Sequence, residues 1–216
     1  IDIIKKIASK KKLGIIATGA SNFKEVETAV KEYLKINQSL VLMQCNTNYT
    51  GDLENIKYSN LNVLNKFKKK FPKVVLGLSD HTFGHVTVLG AIMLGARVIE
   101  KHFTDNNKRT GPDHFFAMNP KSWKEMVSAT RDLESAMGDG VKRIEKNELN
   151  SIVVQRRSIR ANQILNKGTI IRENMLDYLR PCPIGALRPC DKKKIINKSL
   201  KKEIKYHEII KFSDVF

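Results

Sequence analysis

Two short apolar runs that end abruptly in charge, Val74–Leu78 and Ala96–Ile99, constrain this chain more than any other feature. Ser79-Asp80-His81 follows the first and Glu100-Lys101-His102 follows the second. Between them, Val86–Leu94 is apolar enough to form a covering helix. A strand–helix–strand unit of this kind makes the two strands parallel neighbours. In parallel α/β folds, chemistry collects at the carboxyl ends of the strands. That edge receives two imidazoles here, and residues 76–114 hold four of the five histidines: His81, His85, His102 and His114. A lone histidine at a strand end is as often a partly exposed polar residue as a ligand. A matched pair on adjacent strands suits a divalent transition metal, with waters or substrate oxygens completing its shell. Two ligands are too few for a closed structural zinc site.

The remaining chain extends the alternation. Asp2–Lys12 reads as the end of a helix with Ile3, Ile4, Ile7 and Ala8 as its stripe, and Leu13–Ala17 as a buried strand. Asn22 and Glu25 form a capping box for a helix running to about Ile36. Strand Leu40–Gln44 leads into the polar loop Cys45–Gly51, and a helix is expected over Ile56–Phe71, stopped by Pro72. After Glu100 a long loop precedes a helix over Pro120–Met137, with Asn119 as cap, Pro120 at the first position and Gly138 as stop. The strands at 13, 40, 74 and 96 make four strand–helix units, so the fold class is α/β with a parallel sheet. A complete (β/α)8 TIM barrel needs eight units and about 250 residues. The chain therefore holds half a barrel in residues 1–138, and its open edges predict instability unless the other half is supplied. Residues 139–155 read as a polar linker. From Arg156 the texture changes to short β-like runs, a Lys167-Gly168 turn and several prolines, giving a small, mostly-β module over 156–216.

Composition limits the function classes. No run approaches 18 apolar residues, so no membrane span is expected. The start, IDIIKKIASKKK, is charged and amphipathic, unlike a signal peptide, and it lacks an initiator Met. Cys45, Cys182 and Cys190 are odd in number and have no CxxC spacing, which fits a reducing cytoplasm rather than a disulfide framework. The net charge of +17 raises nucleic acid as a partner. However, the runs Lys10–Lys12, Lys68–Lys70 and Lys192–Lys194 are scattered and not interleaved with aromatics, as a single-strand groove requires. The reading is therefore no nucleic acid and no membrane, with a basic surface that favours anionic substrates.

GLSDHT, VIEKHFT and GPDH, in this order and spacing, resemble the sialic acid synthase family, and the C-terminal module resembles that family's antifreeze-like (SAF) domain. The resemblance covers essentially the whole chain but not the whole family, whose N-terminal part is missing, so truncation is expected. It implies an enzyme that condenses phosphoenolpyruvate with N-acetylmannosamine or a related sugar, or its 6-phosphate, in a domain-swapped homodimer. The four units would be the barrel's last four. The resemblance assigns His81 and His102 to a divalent cation, typically Mn2+, with Mg2+ or Co2+ as alternatives. It places Asp113 on the sugar hydroxyls, Tyr49 beside the sugar with Thr47 or Asn46, and Ser79 on the phosphate. Arg180 would reach the partner subunit's sugar. Some positions depart from the family pattern. Ala17 stands where the family commonly has serine, leaving Thr18 as a substitute donor, and Cys182 replaces the usual glycine after Arg180-Pro181. The early-strand lysines and acidic residue are absent, so no turnover is expected from this chain alone. His85 and His114 read as supporting or surface residues, and His207 as a turn residue. The competing reading is a non-catalytic fragment or split subunit with an assembly role.

Overall fold

The computed structural model describes residues 1–216, which divide into two compact units, Ile1–Gly140 and Val141–Phe216. In the first, strands β1 (Gly14–Ala17), β2 (Leu40–Cys45), β3 (Val75–Asp80) and β4 (Ala96–Lys101) form one parallel sheet in the order β1-β2-β3-β4. Helix α1 (Asp2–Ser9) precedes β1, and α2 (Phe23–Leu34), α3 (Val63–Lys70), α4 (Val86–Met93) and α5 (Pro120–Met137) each follow a strand. Sequential parallel neighbours without a reversal of order are the arrangement of a barrel wall, not of a doubly wound sheet.

Strand register sorts the side chains onto two faces. Leu42, Leu76, Leu78 and Ala96 share one face and pack with Val30, Tyr33, Leu64, Phe67, Val88 and Ala91 of the helices in a single core. Met43, Gly77 and Val98 share the other, as do Cys45, Ser79 and Glu100 further along. Gly77 lies where the β3–β4 register shifts, and a Cβ there would stand 2.7 Å from the Val98 carbonyl oxygen. Only glycine lets the two strands approach so closely.

Both predicted caps form. The Asn22 side chain accepts from Glu25 N while Glu25 returns a bond to Asn22 N, and Asn119 and Ser122 do the same for α5. The helix expected over Ile56–Phe71 is instead two pieces, a 3-10 turn over Leu53–Tyr58 and α3. Asn60 takes a left-handed conformation (φ 43°) that an α-helix cannot contain, and the chain restarts after it. Strand β3 also runs two residues further than its apolar pattern predicts, through Ser79-Asp80, because both are buried and paired with β4.

In the second unit, a 3-10 turn (Lys146–Glu148) and helix α6 (Leu149–Gln155) precede an antiparallel pair, β5 (Ser158–Ala161) with β6 (Leu176–Leu179). The remaining β structure is isolated bridges, such as Leu165 with Ile204 and Arg160 with Ile209, rather than continuous strands. Ile159, Ile171, Ile195, Leu200, Ile204 and Ile210 are fully buried and form its core. No helix of the protein is long and apolar enough to cross a membrane.

Candidate functional site

Side chains that alternate along β3 and β4 bring the carboxyl edge of the sheet into one cluster. Ser79 is paired with Glu100 in register, so His81 and His102, two residues further on, rise on that same face. Their ring centres lie 5.1 Å apart. Tyr49, from the loop after β2, sits 4.2 Å from the His81 ring and 5.5 Å from the His102 ring, and Phe116 backs His102 at 5.2 Å.

Each imidazole turns Nδ1 towards an acceptor. His81 Nδ1 lies 2.8 Å from the Asn46 carbonyl oxygen. A carbonyl only accepts, so Nδ1 carries the proton and Nε2 keeps its lone pair. Burial pushes the His81 pKa below its ordinary value, which favours the neutral ring. His102 Nδ1 faces Asp113 Oδ2 at 3.4 Å. An imidazole oriented through its other nitrogen by a backbone carbonyl or a carboxylate is the usual support for a metal-binding histidine. The donor set therefore fits a divalent ion, although no group of three or more His, Cys, Asp or Glu forms a ready ligand cage.

The other expected residues divide by what they touch. Ser79 is buried, and its hydroxyl donates to Glu100 Oε1 at 2.7 Å. Glu100 was not among the expected site residues; its signal was the strand alternation that pairs it with Ser79 and sets it two residues before His102. Burial, the largest influence, raises the Cys45 pKa, and its thiol also borders Ser79 and Glu100. Asn46 works through its backbone, since its side-chain amide donates to Tyr58 O and accepts from Asn48 N. Thr47 is exposed and packs on Gly19, where a Cβ would meet its methyl at 2.1 Å. Thr18, the substitute for the missing serine at Ala17, spends its proton on the Met43 carbonyl at 2.9 Å. His114 contacts the Thr104 hydroxyl through Nδ1 at 2.8 Å and fixes the GPDH loop, while His85 stands at the start of α4 without a side-chain cap bond. Arg180 lies in the second unit, exposed, with Nε donating to Gln155 O at 2.7 Å. His207, also there, has φ 59° and stacks on Tyr206.

A cleft of about 820 Å³ opens beside the cluster, between the tops of α2 and α3. It shares Asn46, Thr47 and Tyr49 with the site but neither histidine, so it adjoins the imidazole pair without containing it.

Comparison with known proteins agrees with this architecture. The sequence profile of the NeuB family matches residues 1–142. The N,N'-diacetyllegionaminic acid synthase of Campylobacter jejuni is 37% identical over 189 residues, which are 86% of this chain and 55% of that protein. A pseudaminic acid synthase of the same species is 32% identical over 99% of this chain and 60% of its own length. The crystal structure of N-acetylneuraminic acid (sialic acid) synthetase from Leptospira borgpetersenii superposes with a TM-score of 0.61 at 28% identity, over 70% of this chain and 52% of that one. The chain thus spans about half the length of the first relatives it matches. On the profile match and these relatives, the chain belongs to the NeuB family, that of the sialic acid synthases.

Proposed function

We propose that this chain is the metal-binding half of a synthase that condenses phosphoenolpyruvate with a 2-acetamido sugar of the N-acetylmannosamine type. The product would be a 2-keto sugar acid, with release of phosphate. C3 of phosphoenolpyruvate bonds to the sugar's aldehyde carbon, water adds at C2, and phosphate leaves by C–O cleavage. The observation that carries the reading is the imidazole pair. His81 and His102 lie side by side, His81 held through Nδ1 by the Asn46 carbonyl so that its Nε2 lone pair remains for a ligand, and His102 with Nδ1 turned to Asp113. They would hold a divalent cation, with Mn2+ the first choice. When bound, that ion supplies Lewis-acid polarisation of the aldehyde oxygen.

The chain's own residues do the rest by orientation. Asp113, half-buried, accepts from sugar hydroxyls while its Oδ2 steadies His102. Tyr49 is half exposed and presents a ring face against which a sugar packs. Ser79 turns its hydroxyl from Glu100 to a phosphate oxygen, adding a donor without adding charge. The positive surface draws the phosphoenolpyruvate trianion inward. The second unit is assigned to the antiparallel SAF module, and Arg180 to the sugar site of a partner subunit in a swapped dimer. The sheet, with its two unpaired edges, is assigned to the last four units of a TIM barrel.

The test is phosphate release from phosphoenolpyruvate by the full-length gene product with Mn2+ present. It is expected only when a 2-acetamido sugar is added. Release that ignores the sugar, or none with any such sugar, rejects the reading.

A further inference from the structure

On the helix-facing side of the sheet, the residue before each histidine is charged and almost wholly buried. The Asp80 side chain is 3% exposed and the Lys101 side chain 2%, and Lys101 Nζ donates to Asp80 Oδ2 at 2.5 Å. Elsewhere this face is filled by Leu42, Leu76, Leu78 and Ala96. A buried ion pair is a poor route to stability, because apolar residues of similar volume usually serve as well or better. Its advantage is direction, and here the bonds converge on Asp80 and Thr82, the two residues that flank His81. Lys101 Nζ also donates to the Thr82 carbonyl at 2.7 Å. Asp80 Oδ1 accepts from Thr82 N at 3.1 Å and from the Thr82 hydroxyl at 2.9 Å. The Thr87 hydroxyl, in the first turn of α4, donates to Asp80 Oδ2 at 2.7 Å. The residues on both sides of His81 are thereby tied to the residue immediately before His102.

We propose that Asp80 and Lys101 are positioning residues that clamp the carboxyl ends of β3 and β4 and so set the separation of the His81 and His102 rings. The assignment of those rings to a cation rests on the proposed function; the clamp itself rests on the hydrogen bonds above. Contacts on the ring side hold each imidazole's rotation, His81 through Asn46 and His102 through Asp113. The clamp on the opposite face holds the backbone from which the rings project. Supporting residues of this kind affect metal affinity by about 10–100-fold without touching the ion.

The test compares the wild type with the double variant Asp80→Asn/Lys101→Met, which removes both charges together and leaves one amide oxygen to accept from Thr82, while the Thr87 hydroxyl turns to accept from the new amide N–H. Thermal unfolding should change little. In the metal-free protein, the NOE between the two imidazoles should weaken at least twofold. Mn2+ titrated by calorimetry should bind about 10-fold more weakly. Thr87→Val, which deletes the bond to Asp80 and the 3.1 Å contact with the Thr82 hydroxyl, should shift the same two readouts less and in the same direction, and it decides the matter if the double variant does not fold. An unchanged NOE with unchanged Mn2+ affinity overturns the clamp. If the wild type binds no Mn2+, the cation assignment fails and the NOE alone decides the clamp.

Discussion

A histidine presents one ring nitrogen reliably only when the other is engaged, and this requirement separates the five histidines. His81 and His102 satisfy it next to one another, through a carbonyl and a carboxylate. His114 spends Nδ1 on Thr104 to hold a loop. The pairing of His81 with His102 was legible in the sequence, because two apolar runs end in charge at the same relative position. Glu100 and the Asp80–Lys101 pair were not, since each is an ordinary charged residue until register puts it opposite its partner. A charged side chain also matters in the second unit. Asp191 caps its own turn, and its hydrogen bonds, chiefly with Lys194 and then with Arg188 N, hold its pKa down to about 2 from 3.8. A carboxylate with a depressed folded pKa contributes stability above its unfolded value and loses it as pH falls. Asp191→Asn should therefore lower Tm at pH 7, and the gap from wild type should shrink as pH falls from 3.8 towards 2. A gap that stays constant across that range would contradict the assignment.

At the scale of elements, the strand–helix alternation was readable because each strand is a short apolar run and α2, α3 and α5 have a stop or a cap. Helix α5 is the clearest case, with Asn119, Pro120 and Gly138 marking both of its ends. Asn119→Ala removes the bond to Ser122 N and should cost about 1 kcal/mol, measured by denaturant unfolding. A loss below about 0.3 kcal/mol would mean that the cap is redundant. The sequence misled where tertiary contacts outvote pattern. One helix was expected over Ile56–Phe71, but the chain turns at Asn60 and Gln44 Nε2 donates to the Ser59 carbonyl from β2. The second unit was harder still, because isolated bridges carry no period for a pattern to reveal.

For the whole molecule, the division at Gly140 coincides with an exposed stretch, and residues 139–145 contain no helix or strand. Brief digestion with trypsin should cut first at Lys142 or Arg143, as seen by mass spectrometry of the early fragments. First cuts within β1–β4 would contradict the described sheet. The basic surface and the parallel sheet suit an anionic substrate, but neither specifies a reaction, and the proposed condensation rests on the carboxyl-edge cluster. The most direct measurement is phosphate release by the full-length gene product from phosphoenolpyruvate and a 2-acetamido sugar, titrated with Mn2+, for the wild type and His102→Ala. The rate should rise to saturation with Mn2+ in the wild type and fall at least about 100-fold in the variant, a loss of roughly 2.7 kcal/mol in transition-state stabilisation. Near-normal activity of His102→Ala at saturating Mn2+ would contradict the assignment of His102 to the cation.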